Sequence, residues 1–567
     1  MKTEMNRREF IKNSSRIAGI GIAGSSFFLK GCTSKKDFDL VIKDGLVYDG
    51  LGGSPVSADI GIQGDIIGKI GKIPSGRGKQ VIDARGLSIS PGFIDVHDHT
   101  DIGLLVNPRA ESAVRQGITT LVSGNCGSSP FPVAEGIYDE FRENLQEIYE
   151  IQLDWLDIKS FFSRLEQKGM AVNYASLVGQ GTLRGAVVGF NDRAAKPEEM
   201  EQMKNLLEDN IKEGAFGLSS GLEYAPGSYA SSEEIIDLCR VVSRMKGVYA
   251  THMRDEGDHL LESLDESIDV SRKTGVMLQI SHFKVAYPRN WHKLDEALSK
   301  LESAQKEGIS IFCDRYPYIA GSTGLSFYFP LWARQGTTEE FLSRLKNTTL
   351  EKRLREYVHS QEEKLGSWDK VFITSVVTDK NLGFQGKSIL QAAKETRKEP
   401  YEFMRDILIE EENQVGMVTF MMNEENLKRV LCFPLVGIGC DGSALAPYGL
   451  LGRGKPHPRS YGTFPRVLGK YVRDEKISTM EEMIKKMTSI PAERFGFTNR
   501  GKIQMGYSAD LVIFDEKSVK DSATYEDPHQ YPVGIEYVLV NGQIVIDTGE
   551  HSGNLPGRIL RKKEVQI

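Results

Sequence analysis

Residues 38–90 alternate apolar and polar positions and break at Asp-Gly pairs. "FDLVIKDGLVYDG" and "ADIGIQGDIIGKIG" read as short strands closed by turns, with "VIDARGLSIS" behind them. The C-terminal stretch returns to this pattern in "GYSADLVIFD" and in "EYVLVNGQIVIDTGEHSG", which carries an Asn-Gly hairpin signal. Between the two β-rich ends the rhythm changes. Apolar runs such as "GFIDVHDH", "TTLVSGNCG", "NYASLVGQG" and "AFGLSSGLEY" recur through the body. "GVYATHMRD", "VMLQISHFK", "ISIFCDRYPY" and "LVGIGCDG" continue the series. Most lead into a run with helical spacing, such as "SSEEIIDLCRVVSRMKG" at 231–247.

Eight apolar strands separated by helices predict an α/β fold, a parallel (β/α)8 barrel of the TIM type. The expected barrel covers 91–489. The seventh and eighth strands are far apart, so an inserted subdomain is expected at about 320–430. Residues 38–90 and 490–560 are expected to form one small β-sandwich domain from both ends of the chain.

Residues 1–32 stand outside this plan. "NRREFIK" places Arg7 and Arg8 ahead of a short apolar run, "IAGIGIAGSSFFL", and "LKGC" ends at Cys32. The pattern resembles a twin-arginine export signal, and Cys32 resembles a lipoprotein processing site. The expectation is an exported protein, periplasmic or held on a membrane by a lipid at Cys32. No later apolar stretch reaches the roughly 20 residues of a spanning helix. With 71 Lys and Arg against 78 Asp and Glu, the net charge is −7, and no basic run points to nucleic acid as a partner. Six cysteines in 567 residues make no disulfide framework.

In a barrel of this kind, function gathers at the C-terminal strand ends. The first strand ends in His97-Asp98-His99, the second at Cys126, the fifth at His252, the sixth at His282 and the eighth at Asp441. Side chains alternate along a strand, so His97 and His99 share a face and Asp98 looks the other way. Four of the ten histidines fall at these ends. Nitrogen donors beside a thiolate favour zinc. "GLSSG" at 217–221 imitates a serine-hydrolase elbow, but no helix follows it directly. "GLLGRGK" at 449–455 imitates a phosphate loop, but Pro456 stands where Ser or Thr is required.

"PGFIDVHDHTD", "SGNCG", "THMRDEG", "ISHFK", "CDGS" and "HPRSYGTFPRVLG" closely resemble the amidohydrolase superfamily and, within it, the D-aminoacylase (N-acyl-D-amino-acid deacylase) family. The resemblance runs from about 38 to 550. It implies a zinc-dependent hydrolase of N-acyl-D-amino acids, with a tight zinc on Cys126, His252 and His282. A second, weaker metal position on His97, His99 and the same thiolate is implied too. Relatives that hydrolyse cyclic amides commonly bridge their metals with a carboxylated lysine, and Cys126 argues against them. Asp441 is the expected general base and acid. Cys440 replaces the family's usual serine before that aspartate and is read as a neighbour, not a ligand.

The implied substrate is a small N-acyl amino acid with a free carboxylate. By the resemblance, Lys284, Tyr224, Tyr316 and Ser322 are the candidates to bind it. Arg254 and Glu256 are candidates to orient a ligand. The D preference rests on the resemblance alone. The competing readings are hydrolysis of D-residue dipeptides, hydrolysis of cyclic amides, and a non-catalytic exported binding scaffold.

Overall fold

The computed structural model describes residues 36–562. The expected export segment and Cys32 lie outside the described residues. No helix among the described residues is long and apolar enough to cross a membrane.

The eight expected strands are present and parallel. The first three are Phe93–Asp95, Ile118–Ser123 and Asn173–Ser176. The third continues past Leu177 into Val178–Gly179, which pairs with the fourth strand, Gly217–Gly221. Val248–His252, Met277–Ile280, Ile311–Arg315 and Val436–Ile438 complete the series. The first and last strands meet just above their ends. Asp441 N donates to His97 O at 2.7 Å, and His99 N donates to Gly442 O at 2.8 Å.

Helices follow the strands in the order the apolar spacing demands. The helix expected at 231–247 runs Ser232–Arg244. Ser231 caps it by accepting from Glu234 N at 3.2 Å, and its buried face includes Ile235, Leu238 and Val242. Such a cap is worth about 1 kcal/mol. Inside the barrel floor, Ile94, Val122, Ala175 and Phe312 pack with Phe216, and Phe497 from beyond the last helix meets Phe216 ring to ring at 5.1 Å.

Strands from both ends of the chain form one hydrogen-bonded sheet of nine. A bulge between Ile42 and Gly45 lets Phe38–Val47 pair in parallel first with Gly78–Asp83 and then with Ser88–Pro91. Gly45 is needed there, because a Cβ would lie 2.3 Å from Ile89. Leu511–Phe514 then pairs antiparallel with Ser88–Pro91 and brings in the C-terminal strands. The sheet curves until its far edge nears the C-terminal strands, with Ala509 N donating to Asp65 O at 2.8 Å. Leu40, Ile60, Ile89, Leu511 and Leu539 share the enclosed core.

Between the seventh and eighth barrel strands, Ala320–Gly324, Val371–Ser375 and Gly416–Phe420 form a separate antiparallel sheet. Helices pack on it around a core of their own, in which Tyr328 and Trp368 meet edge to face at 4.8 Å. This insertion leans over the mouth of the barrel and supplies Phe327, Thr419 and Met421 to the cavity there.

Candidate metal centre and substrate chamber

Strand pairing sets the spacing of the centre. His252 pairs with Gly221 across the fourth and fifth strands, and Thr251 pairs with Ile280 across the fifth and sixth, just below His282. Three of the key residues leave their strands through left-handed backbone: Cys126 at φ 50°, His282 at φ 37° and Asp441 at φ 51°. This region is costly for a side-chain-bearing residue and is commonly found at functional sites. Here it turns the three side chains inward over the barrel mouth. The Cys126 turn is held from below as well. A Cβ on Gly127 would lie 2.6 Å from Gly221 N, and Ser219 donates to Gly124 O while accepting from Gly127 N at 3.0 Å. Ser219 belongs to "GLSSG", which is therefore the buried fourth strand and no nucleophile elbow.

The five candidate ligands and Asp441 come together. Cys126 Sγ lies 3.3 Å from His97 Nε2 and 3.5 Å from His282 Nε2. Asp441 Oδ1 lies 3.1 Å from His99 Nε2 and 3.3 Å from His97 Nε2. The donor atoms fall into two groups, each spanning less than 4.8 Å: Cys126 with His252 and His282, and His97 with His99, Cys126 and Asp441. Cys126 belongs to both. Asp441, expected only as a proton carrier, thus also sits among the donors of the second group.

Second contacts fix the imidazoles. His97 Nδ1 lies 2.9 Å from Asp314 Oδ1, the same oxygen that accepts from His282 N. His252 Nε2 lies 2.9 Å from Glu223 Oε2, and His282 Nδ1 lies 2.9 Å from Glu256 Oε1. Metal-ligating imidazoles are characteristically held this way. His252 Nδ1 is buried with no hydrogen-bond partner. An unsatisfied ring nitrogen facing a sulfur and a second imidazole suits a divalent ion, and the nitrogen and sulfur donors suit zinc.

The charges of the cluster depend on one another. Burial alone would raise the Cys126 thiol, but His97 and His282 hold it well below its ordinary value. Burial opposes charging His99 and His252. Asp441 and Cys126 beside His99, and Glu256 with Cys126 beside His252, still carry both up to about 10. Asp441 is lowered despite its burial, chiefly by Arg459. Cys440 has no such neighbours. Burial first, and then Asp95, push its thiol well up, so it stays a neutral side chain.

The substrate candidates divide. Tyr316 OH is buried without a hydrogen-bond partner at the cavity wall. Tyr224 packs its ring edge-on against His252 at 4.8 Å. Ser322 donates to Met417 O at 3.0 Å. Lys284 is not a free charge. Its Nζ lies 2.5 Å from Glu256 Oε2 and 2.8 Å from His282 Nδ1. Glu256 does orient His282, but Arg254 does not reach the cluster. It pairs with Glu266 and with the carbonyls of Ser228 and Ala230.

The sequence reading missed Asp314, Glu223 and Arg459. The last is the largest omission. Arg459 Nη1 lies 2.8 Å from Asp441 Oδ2, and its guanidinium stacks over Tyr316 at 4.8 Å. It lies in "HPRSYGTFPR", and no local pattern ties that segment to Asp441. His457 holds it in place. His457 Nδ1 accepts from Arg459 N at 3.0 Å while Nε2 meets Ala320 O.

Metal cluster, Arg459 and Tyr316 all open into one cavity of about 570 Å³. Its far wall is apolar, built from Val133, Ile137, Phe141, Phe190, Phe327 and Met421.

A model of the amidohydrolase family matches residues 451–546. The D-aminoacylase of Alcaligenes xylosoxydans xylosoxydans is 36% identical over 535 residues, spanning 94% of this chain and 99% of the relative. The N-acyl-D-glutamate deacylase of the same organism is 33% identical, spanning 93% and 97%. Among solved structures, the N-acyl-D-glutamate deacylase of Bordetella bronchiseptica, complexed with zinc and a phosphonate inhibitor, superposes with a TM-score of 0.79 at 30% identity. That match covers 93% of this chain and all of the other. With strands, donor cluster and near-complete alignment in agreement, the chain belongs to the D-aminoacylase family of the amidohydrolases.

Proposed function

We propose that this protein removes the acyl group from N-acyl-D-amino acids by zinc-dependent hydrolysis. The observation that carries the reading is the convergence of Cys126, His252, His282, His99 and Asp441 on one cavity large enough for a small acylated amino acid. Family membership supports the D preference and the linear amide.

Cys126, His252 and His282 would hold a tight zinc, and His97, His99 and Cys126, with Asp441 beside them, would hold a second, weaker metal. Zinc bound there supplies Lewis acidity to the amide carbonyl and makes water a stronger acid. The remaining work falls to side chains. Arg459 keeps Asp441 ionised, so its carboxylate takes the proton of the attacking water and hands it to the departing nitrogen. The hydroxyl of the water joins the acyl carbon, the C–N bond breaks, the proton relayed by Asp441 ends on the departing nitrogen, and a carboxylic acid and a neutral amine are released. Tyr316, Ser322 and the unshared donors of Arg459 bind the substrate carboxylate, with Lys284 sharing its charge between Glu256 and the substrate. Tyr224 packs on His252 and closes the wall.

The test is amine release by zinc-loaded protein from matched N-acetyl-D- and N-acetyl-L-amino acids. Release from D forms alone is expected, abolished by chelation and restored by zinc. Hydrolysis of neither form by protein with zinc bound overturns the reading.

The twin-arginine pattern of residues 1–32 supports export, with Cys32 as the site of a lipid anchor. Fractionation of cells carrying the full chain and a Cys32→Ala variant checks both. Release of the variant alone from the membrane fraction is expected.

A further inference from the structure

A second cavity of about 470 Å³ adjoins the first. His99, Ser322, Thr323, Asp441 and Arg459 line both, so these five residues stand between the two, whereas Cys126, His252 and His282 face the first alone. The two differ in chemistry. The first chamber has an apolar far wall. The second is walled by hydroxyls, Thr374, Ser375, Ser443 and Ser460 among them, and by Arg453 and Lys455 in addition to the shared Arg459.

Arg453 and Lys455 come from "GLLGRGK", the segment whose resemblance to a phosphate loop the reaction leaves unused. It is anchored on two sides. Lys455 N donates to Thr374 O at 2.7 Å on the insertion, and Gly454 O lies 3.1 Å from His529 Nε2. Gly454 is required, since its φ is +73° and a Cβ would lie 2.7 Å from Thr374 O. Among the described residues neither the Arg453 nor the Lys455 side chain forms an ion pair, unlike Lys284 and Arg459 in the first chamber. Among the described residues Asp441 is the only acid lining the second cavity, and Arg459 already pairs with it. The chamber is therefore lined by two cations without ion pairs, Arg453, which is exposed, and Lys455, whose amine lies beside Gly386.

We propose that this second chamber receives the acyl half of the substrate, and that the acyl group it fits ends in a carboxylate, as in succinyl or glutaryl amides. The proposal rests on the deacylase reading above. Of the candidates for the amino-acid carboxylate, Tyr316 and Lys284 line the first chamber only, while Ser322, which already donates to Met417 O, and Arg459, which pairs with Asp441, stand between the two; the carboxylate is therefore placed on the first side and the second chamber is left for the other side of the amide. A carboxylate at the end of a short acyl chain meets Arg453 and Lys455 there. Arginine can grip it with two parallel N–H bonds.

The experiment compares kcat/KM for one D-amino acid carrying an N-acetyl, an N-succinyl, an N-glutaryl or an uncharged methyl-succinyl group. The zinc-loaded wild type is measured beside Arg453→Ala/Lys455→Ala and Arg453→Glu/Lys455→Glu proteins of verified zinc content. The wild type is expected to prefer succinyl or glutaryl over the methyl ester by about tenfold, the size of one net charge-assisted hydrogen bond. Raised salt should shrink that preference. In the Ala variant the acid-to-ester ratio falls to about one, and in the Glu variant it inverts. Hydrolysis of the N-acetyl substrate with no preference for the acids overturns the proposal and leaves the deacylase reading intact. An equal loss on all four substrates in the Ala variant also overturns it, because the loop would then be serving the amino-acid carboxylate. Failure on every substrate removes the deacylase reading itself.

Discussion

At the scale of single residues, charge environment separates two cysteines that composition treats alike. Cys126 and Cys440 both end barrel strands. Cys126 faces four imidazoles, which hold its thiol well below the ordinary value, whereas Cys440 faces Asp95 and its thiol is pushed well up. Cys126→Ala is expected to lose tightly held zinc and activity together. Asp441→Asn is expected to keep the zinc on Cys126, His252 and His282 and to lose about 10²–10⁴-fold in kcat, the usual worth of a proton carrier. Metal analysis beside steady-state rates separates the two, and a near-normal rate for the asparagine variant rejects the role of Asp441. Zinc uptake should also depend on pH in one direction. His99 and His252 hold their protons up to about pH 10 in the metal-free cluster, and ligation requires neutral imidazole. Lower pH therefore favours the protonated, metal-free form, and apparent zinc affinity rises from pH 6 toward pH 10. Calorimetry at pH 7 in two buffers of different ionisation enthalpy should show net proton release. No release would count against the charge pattern described for the cluster. The six residues at the heart of the site were legible because strand alternation and strand-end position each select them. Asp314, Glu223 and Arg459 were not, since a lone acid or arginine beside a strand carries no periodic mark. Their roles come only from contacts across the barrel.

At the scale of elements, the eight strands were readable because each is a short apolar run with a helix-spaced segment behind it. Sequence does not reveal how closely the elements approach. Gly221 ends the fourth strand, pairs with His252, and sits so near the second-strand turn that a Cβ would lie 2.2 Å from Cys126 O. A methyl group there must push the Cys126 turn away from the fifth strand. Gly221→Ala is expected to cost on the order of 1–3 kcal/mol, the usual price of overpacking, and to weaken zinc binding as well. Thermal unfolding with and without chelator measures both effects. A variant with wild-type stability and full zinc retention would show that the turn can yield without moving its sulfur. Lys284 illustrates the same limit from the other direction. Its position two residues after His282 was visible, but its pairing with Glu256 depends on how the fifth-strand loop crosses beneath it.

At the scale of the whole molecule, three parts of the chain build one chamber. The barrel supplies the metal cluster, the segment after the second strand supplies Val133 and, from the helix Glu135–Tyr149, Ile137 and Phe141, and the insertion supplies Phe327 and Met421. The β-rich ends and the long gap before the eighth strand were evident in the sequence, but the surface that the insertion turns toward the barrel was not, because it is set by how two cores dock. That surface decides side-chain preference. Among the described residues Lys284 and Arg459 are the only lysine and arginine lining this chamber. Both lie at the metal end, paired with Glu256 and Asp441, and the far wall carries no cation. An acidic side chain directed at that wall would be desolvated with no partner, which costs several kcal/mol in effective terms. An aliphatic or thioether side chain would instead bury its surface against Phe141, Phe190 and Met421 at about 25 cal/mol per Å². N-Acetyl-D-leucine and N-acetyl-D-methionine should therefore exceed N-acetyl-D-glutamate and N-acetyl-D-aspartate in kcat/KM by about 10² or more, a ratio consistent with rejection of an unpaired charge. Phe327→Ala should lower the values for the large apolar side chains more than for N-acetyl-D-alanine. Competing the four substrates in one mixture gives the ratios directly. Equal or faster turnover of the acidic pair would mean that a cation from elsewhere reaches the far wall.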